Sequence, residues 1–145
     1  MRLEFELIPN LPRLAWAAHL RKDDPAVRIL HGPWVETRED CFFEGACDGP
    51  FEGYRFHQAF TFLGSGARLA DERVVFAGPT HTYESLHAVR ADDEMFVSNS
   101  LAFLLALSGE RPQDTWSFAT YWTDSVSGLD PAFAEVAEPV VSAIR

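Results

Sequence analysis

Apolar and polar side chains alternate at the start of the chain and at several later points. Residues 2–7 alternate charged with apolar side chains, so they predict a strand with one solvated face, and Pro9 and Pro12 end it. Residues 14–20 are short and apolar, and they fit either a strand or a short helix that Ala15, Ala17 and Ala18 favour. Residues 27–30 predict another strand, which Gly32 and Pro33 end.

The middle of the chain predicts further short strands separated by turn residues. Residues 34–36, 41–43, 60–63 and 73–77 are the strand segments. Residues 51–58 mix aromatic and polar side chains and fit a loop or an edge strand. We interpret Gly64-Ser65-Gly66 as a turn that ends the preceding strand, although its backbone N–H groups could also hold an anion.

Residues 84–109 carry the clearest local pattern. Two apolar segments flank Asp92-Asp93, which predicts a hairpin with a solvated acidic turn. Asn99 or Ser100 can cap a helix that follows, and Gly109 can end it. A further helix, capped by Asp114 and rich in aromatic residues, is predicted in the C-terminal part.

Grouped strands with few helices predict an α+β fold built on antiparallel sheets, in one domain spanning residues 1–145. The C-terminal residues carry no stop signal, which is compatible with the N-terminal part of a longer protein. The formal net charge of −10 argues against nucleic-acid binding. Without a signal peptide or a long apolar run, we expect a cytoplasmic protein that does not cross a membrane, with Cys41 and Cys47 reduced.

Residue patterns typical of catalysis or metal binding are missing from the sequence. The five histidines form no metal-ligand spacing, the serines lack a nucleophile-elbow pattern, and neither cysteine has a base nearby in sequence. We therefore expect no metal site and no catalytic residue. The residues that could line a ligand are Glu44, Gly45, His81 and Asn99.

Three segments together resemble a known family. Residues 73–109 include the motif Phe96-Val97-Ser98 followed by an apolar helix, and they resemble the end of the N-terminal glutaminase-type domain of asparagine-synthase-like proteins. Phe43-Glu44-Gly45 resembles the family's FNGE motif, with Glu44 in place of the Asn. Residues 31–33 resemble its HRGPD motif, without the Arg and the Asp.

The resemblance implies an N-terminal-nucleophile hydrolase sandwich, with sheets packed face to face and helices outside, of which this chain can be an incomplete part. Such domains use an N-terminal cysteine as the nucleophile, and Arg2 stands in its place. The resemblance therefore implies a degenerate, inactive glutaminase-like domain with a structural or partner-binding role. ATP and Mg²⁺ would belong to a separate synthetase domain, because the family's SGGxDS motif is absent from the sequence.

Three functions follow as hypotheses. The chain is a non-catalytic glutaminase-like part of an asparagine-synthase-like ligase, in contact with a synthetase domain or with copies of itself. Alternatively, it is a stand-alone module that binds a small molecule. The third hypothesis is a hydrolase with a Ser or His site that no motif reveals, which would place a Ser or Cys beside a histidine in a pocket.

Overall fold

Two five-stranded sheets and one α-helix make up most of the described chain. The computed structural model describes residues 1–48, 53–81, 84–111 and 143–144. The elements in chain order are β1 (Arg2–Leu7), β2 (Trp16–Arg21), β3 (Ala26–His31), β4 (Glu36–Thr37), β5 (Cys41–Cys47), a 3₁₀ helix (Phe56–Gln58), β6 (Phe62–Ala70), β7 (Arg73–Ala77), β8 (His87–Ala91), β9 (Glu94–Ser98), α1 (Leu101–Ser108) and β10 (Ala143–Ile144).

The chain divides into two compact units. One consists of Met1–Gly109 together with Val141–Arg145, and the other of Glu110–Val140. Within the second unit only Glu110 and Arg111 are described, so the predicted helix at Asp114 lies outside the described residues. One domain over residues 1–145 stays a prediction.

The first sheet has the order β1-β3-β2-β9-β8, and the second has the order β10-β7-β6-β5-β4. Neighbouring strands pair antiparallel everywhere except between β1 and β3, which run parallel from Arg2 beside Ala26 to Leu7 beside His31. Short turns connect four of the antiparallel pairs, namely β2–β3, β4–β5, β6–β7 and β8–β9.

The main hydrophobic core lies between the sheets. Strands of both sheets contribute alternate residues to it, among them Trp16 and Ile29 from the first sheet and Phe42 and Phe76 from the second. The Trp16 ring makes an edge contact with Phe42 at 4.8 Å between centroids and stacks on Phe76 at 6.2 Å. A second cluster on the opposite face of β5 and β6 contains Cys41, Phe43, Phe56 and Phe62. Both sheets therefore contribute side chains to one common core.

The hairpin and helix predicted for residues 84–109 are confirmed. Asp92 adopts a positive φ of 48° in the tight turn between β8 and β9. The Ser100 hydroxyl accepts a hydrogen bond from the Phe103 backbone N–H at 3.4 Å, so Ser100 rather than Asn99 caps α1. Gly109 ends the helix in the left-handed conformation, with φ 73°. The helix packs against β8 and β9.

Gly64-Ser65-Gly66 is not a turn, contrary to the prediction. It lies inside β6, where its residues pair with Gly45, Glu44 and Phe43 of β5. A Cβ atom at Gly66 would overlap the Phe42 carbonyl oxygen and lie 2.7 Å from the Phe43 Cα atom. The glycine is needed there because the two backbones approach closely, and it does not mark the end of a strand.

Other predicted boundaries change as well. For residues 14–20 the sequence predicted either a strand or a helix. Residues 16–21 form the strand β2, because β3 and β9 pair with it on both sides. The strand predicted at residues 34–36 is limited to β4, and β5 extends past Phe43 to Cys47. Within residues 51–58, only 53–58 are described, and they include the 3₁₀ helix.

The α+β class with antiparallel-rich sheets is confirmed at this level of description. In the part of the chain that the structure describes, no helix has the length and apolar content needed to cross a bilayer.

Candidate functional site

A carboxylate lies between the two sheets because of strand alternation. Phe42 points into the main core and Phe43 into the second cluster, so the next residue, Glu44, points to the inner side of β5. Ser65 is the partner of Glu44 on β6 and lies on the same inner side as Ala67. The Glu44 residue is only 9% exposed, which is unusual for a glutamate.

A chain of hydrogen bonds ties Glu44 to the first sheet. The Ser65 hydroxyl donates to Glu44 Oε1 at 2.7 Å and accepts from the Trp16 indole N–H at 2.9 Å. The Ser98 hydroxyl donates to the Trp16 carbonyl oxygen at 2.6 Å. Because Trp16 is fully buried, its indole N–H needs an acceptor inside the protein, and Ser65 supplies it.

Asn99 forms the second link between the sheets. Its side-chain Oδ1 accepts a hydrogen bond from the Trp16 backbone N–H at 2.9 Å, and its Nδ2 donates to the Leu14 carbonyl oxygen at 2.9 Å. Nδ2 also lies 3.5 Å from Glu44 Oε1. These partners fix the orientation of the amide. With Oδ1 and Nδ2 exchanged, the amide N–H groups would face the Trp16 N–H, and the amide oxygen would face the Leu14 carbonyl oxygen.

A cavity of about 150 Å³ lies next to these groups. It is lined by two carboxylates, two hydroxyls, one amide and two apolar side chains, from Glu44, Glu84, Ser65, Ser85, Asn99, Leu14 and Pro79. Burial raises the pKa of the Glu44 carboxyl above its ordinary value, and Glu84 acts in the same direction, while the hydrogen bonds from Ser65 and Asn99 oppose the change. The described lining therefore has two carboxyl groups and no Lys, Arg or His side chain.

The four predicted ligand-lining residues do not all reach this cavity. Glu44 and Asn99 line it, although they are 55 positions apart in the chain. Gly45 does not line it; it has a positive φ of 99°, and a Cβ atom there would overlap the Leu63 carbonyl oxygen. His81 lies beside the cavity, with its Nε2 atom 3.8 Å from a Glu84 carboxylate oxygen.

Sequence reasoning missed three contributors to the site, namely Trp16, Ser65 and Glu84. Ser65 stood in a segment that two glycines made look like a turn. One pattern favoured a strand at Ser65 instead, because residues typical of β-strands stand on both sides of the two glycines. Glu84 precedes β8 in an irregular segment, where an exposed carboxylate carries no pattern of its own.

The described residues hold no activated nucleophile in this site. The Ser65 hydroxyl donates to Glu44 and accepts from Trp16, and it makes no hydrogen bond to a histidine. Cys41 points into the second cluster, on the other face of the sheet, and burial raises the pKa of its thiol to about 11. A thiol with so high a pKa is a poor nucleophile at neutral pH.

A larger groove of about 800 Å³ lies at the opposite end of the sandwich, where β2 ends and β9 begins. Met1, Arg90 and several turn residues line it, and two of its acids, Glu94 and Asp93, pair with Arg21 and Lys22. Among the described residues, no group of three or more His, Cys, Asp or Glu side chains could hold a metal ion.

Comparison with protein-family models, with curated proteins and with solved structures finds no match for this chain.

Proposed function

We propose that this chain is a non-catalytic domain that binds a small molecule in the cavity beside Glu44. One observation carries the proposal. Glu44 Oε1 accepts hydrogen bonds from the Ser65 hydroxyl and the Asn99 amide, whereas Oε2 has no side-chain hydrogen-bond partner among the described residues. A largely buried carboxylate with an unused oxygen destabilises the folded state, and a ligand that binds this oxygen offsets the cost.

A binding role fits the chemistry of the site better than hydrolysis does. A serine hydrolase needs a base that accepts the serine proton and a third group that orients this base. Here Ser65 lies between Trp16 and Glu44 and is only 3% exposed, so both its hydrogen-bonding roles are already used. Its position explains how Glu44 is held in place without assigning it any catalysis.

The glutaminase-like scaffold is a second proposal, and one observation favours it. Glu44 and Gly45 belong to the segment that resembles FNGE, and Asn99 belongs to the segment that resembles the family's strand-to-helix junction. These two segments meet at one cavity between two sheets. On this proposal the sandwich is of the N-terminal-nucleophile hydrolase type, and the domain is cytoplasmic and contacts a synthetase domain that binds ATP and Mg²⁺.

The position of Arg2 supports a scaffold without glutaminase chemistry. Arg2 pairs with Ala26, five positions along β3 from His31, which pairs with Trp16 near the cavity. At a rise of about 3.3 Å per residue, the two ends are roughly 16 Å apart. The Arg2 side chain forms an exposed ion pair with Glu4 at 2.8 Å. A residue at that end of β1 is too far from Glu44 to act on a ligand there.

Two measurements test these proposals separately. Purified chain is incubated with glutamine, and we expect no release of ammonia; release above that of heat-denatured protein would overturn the non-catalytic assignment. Co-purification with an asparagine-synthase-like synthetase domain, and sedimentation of the chain alone, distinguish a heteromeric partner from a homo-oligomer. A monomer that binds no synthetase domain removes the partner role and leaves the small-molecule role.

A further inference from the structure

We propose that the ligand of the cavity is a small primary amine, held in its ammonium form between Glu44 and Glu84. This inference rests on the proposed binding function. The described lining of the cavity contains two carboxylates and no Lys, Arg or His side chain, and His81 lies beside it with its Nε2 atom 3.8 Å from Glu84. An acidic site of this kind repels anions, and a neutral ligand would leave the Glu44 carboxylate without a charged partner.

The polar groups of the site favour N–H donors over a bare positive charge. An ammonium group has three N–H donors, and the lining offers carboxylate oxygens and the hydroxyl oxygens of Ser65 and Ser85 as acceptors. A quaternary ammonium group has no N–H donor and is typically bound by aromatic side chains. Of the residues that the structure describes in this lining, none is aromatic, so a primary amine fits it better.

The volume and the apolar lining limit the rest of the ligand. A cavity of about 150 Å³ corresponds to roughly five water molecules, and cavities of this size accommodate a molecule as large as benzene. The side chains of Leu14 and Pro79 offer apolar surface away from the carboxylates. The ligand therefore has about six non-hydrogen atoms, with a short aliphatic part.

Glu44 is held ready for this ligand by residues that do not themselves need to contact it. Ser65 and Asn99 both direct hydrogen-bond donors at Oε1, which leaves Oε2 for the ligand. The second carboxylate, from Glu84, is 66% exposed and lies at the rim of the site. The structure therefore assigns Glu44 the inner contact and Glu84 the outer one.

Isothermal titration of the full chain at neutral pH, with four probes of matched size, tests the inference. The probes are n-butylamine, the trimethylammonium probe ethyltrimethylammonium, n-butanol and butyrate, each of which has about six non-hydrogen atoms or fewer. We expect n-butylamine to bind with millimolar or better affinity, and the other three to bind at least about tenfold more weakly, because each lacks either the charge or the N–H donors.

Variants place the binding at this cavity. Glu44→Gln and Glu84→Gln are each expected to weaken n-butylamine binding at least about tenfold, whereas the matched control Glu72→Gln, at the exposed turn between β6 and β7, leaves it unchanged. Circular dichroism checks that each variant is folded. If Glu44→Gln fails to fold, Glu84→Gln still decides the question, because its exposed side chain contributes little to the core.

The outcomes separate the ligand class from the binding function. Binding of butanol, butyrate or the trimethylammonium probe at least as tight as that of n-butylamine overturns the amine assignment and leaves the binding function standing. Binding of Mg²⁺ or Ca²⁺ that competes with n-butylamine and is lost in Glu44→Gln assigns the site to a metal and overturns the amine assignment. Amine binding that neither variant weakens also overturns it, and no binding of any probe overturns both proposals.

Discussion

Replacing Asn99 with alanine tests whether this amide ties the end of β9 to the start of β2 at the candidate site. The substitution removes the acceptor of the Trp16 backbone N–H and the donor to the Leu14 carbonyl oxygen, both at 2.9 Å. It also removes the longer contact of 3.5 Å to Glu44. The Ser100 cap of α1 is untouched, because the Ser100 hydroxyl makes that hydrogen bond.

The expected loss of stability follows from the surroundings of these groups. The Trp16 N–H is partly buried, and leaving it without an acceptor costs about 1–3 kcal/mol. The bond to the Leu14 carbonyl oxygen is exposed, so water replaces the lost donor and the cost is about 0.5 kcal/mol. Asn99→Ala should therefore destabilise the protein by about 1.5–3.5 kcal/mol, which lowers the melting temperature by roughly 5–12 °C for a chain of 145 residues.

Urea unfolding followed by tryptophan fluorescence, together with calorimetry, measures this change. Asn10→Ala is the matched control, since Asn10 is exposed and its side chain makes no hydrogen bond within the described residues. We expect the control to stay within about 0.5 kcal/mol of the wild type. A loss below about 1 kcal/mol for Asn99→Ala, or an equal loss for both variants, would refute the assigned role of Asn99.

Further predictions concern glycine packing, the thiols and the buried carboxylate. Gly66→Ala should destabilise by at least about 3 kcal/mol, because its Cβ atom would overlap the β5 backbone, while Gly53→Ala, where the nearest atom is 3.6 Å away, should be neutral in the same urea experiment. A thiol reagent at neutral pH should modify half-buried Cys47 first and buried Cys41 slowly, because the pKa of Cys41 is raised to about 11; equal rates in mass spectra would contradict this. The pKa of the Glu44 carboxyl is raised above its ordinary value of 4.5 in the folded state, so the folded protein binds the carboxyl proton more tightly than the unfolded chain does. The stability of the fold therefore falls as pH rises from 4.5 through the pKa of Glu44 in the folded state. Glu44→Gln should therefore be more stable than the wild type at neutral pH, with the difference vanishing below about pH 4 in a pH series of urea unfolding; a difference independent of pH would show that the Glu44 carboxyl is not its source.

The candidate site could be predicted in part. Glu44 and Asn99 are two of the four residues predicted to line a ligand, and both line the cavity. Nothing in the sequence connects them, because residues 55 positions apart come close only when β5 of one sheet lies against the end of β9 in the other. Ser65, whose hydroxyl donates to one Glu44 oxygen, was assigned to a turn because two glycines flank it. Its pairing with Glu44 appears only when β5 and β6 lie side by side.

The sequence by itself determined the elements whose signals are local. The hairpin of β8 and β9 and the helix α1 depend on Asp92 in the turn, Ser100 at the cap and Gly109 at the end, and each acts on neighbouring backbone groups. Only the tertiary structure decided that Gly66 lies within a strand and that residues 16–21 form one, because partner strands impose both. The tertiary structure also decided where the cavity lies and which residues line it, because a space between two sheets depends on how the sheets pack and not on any one segment.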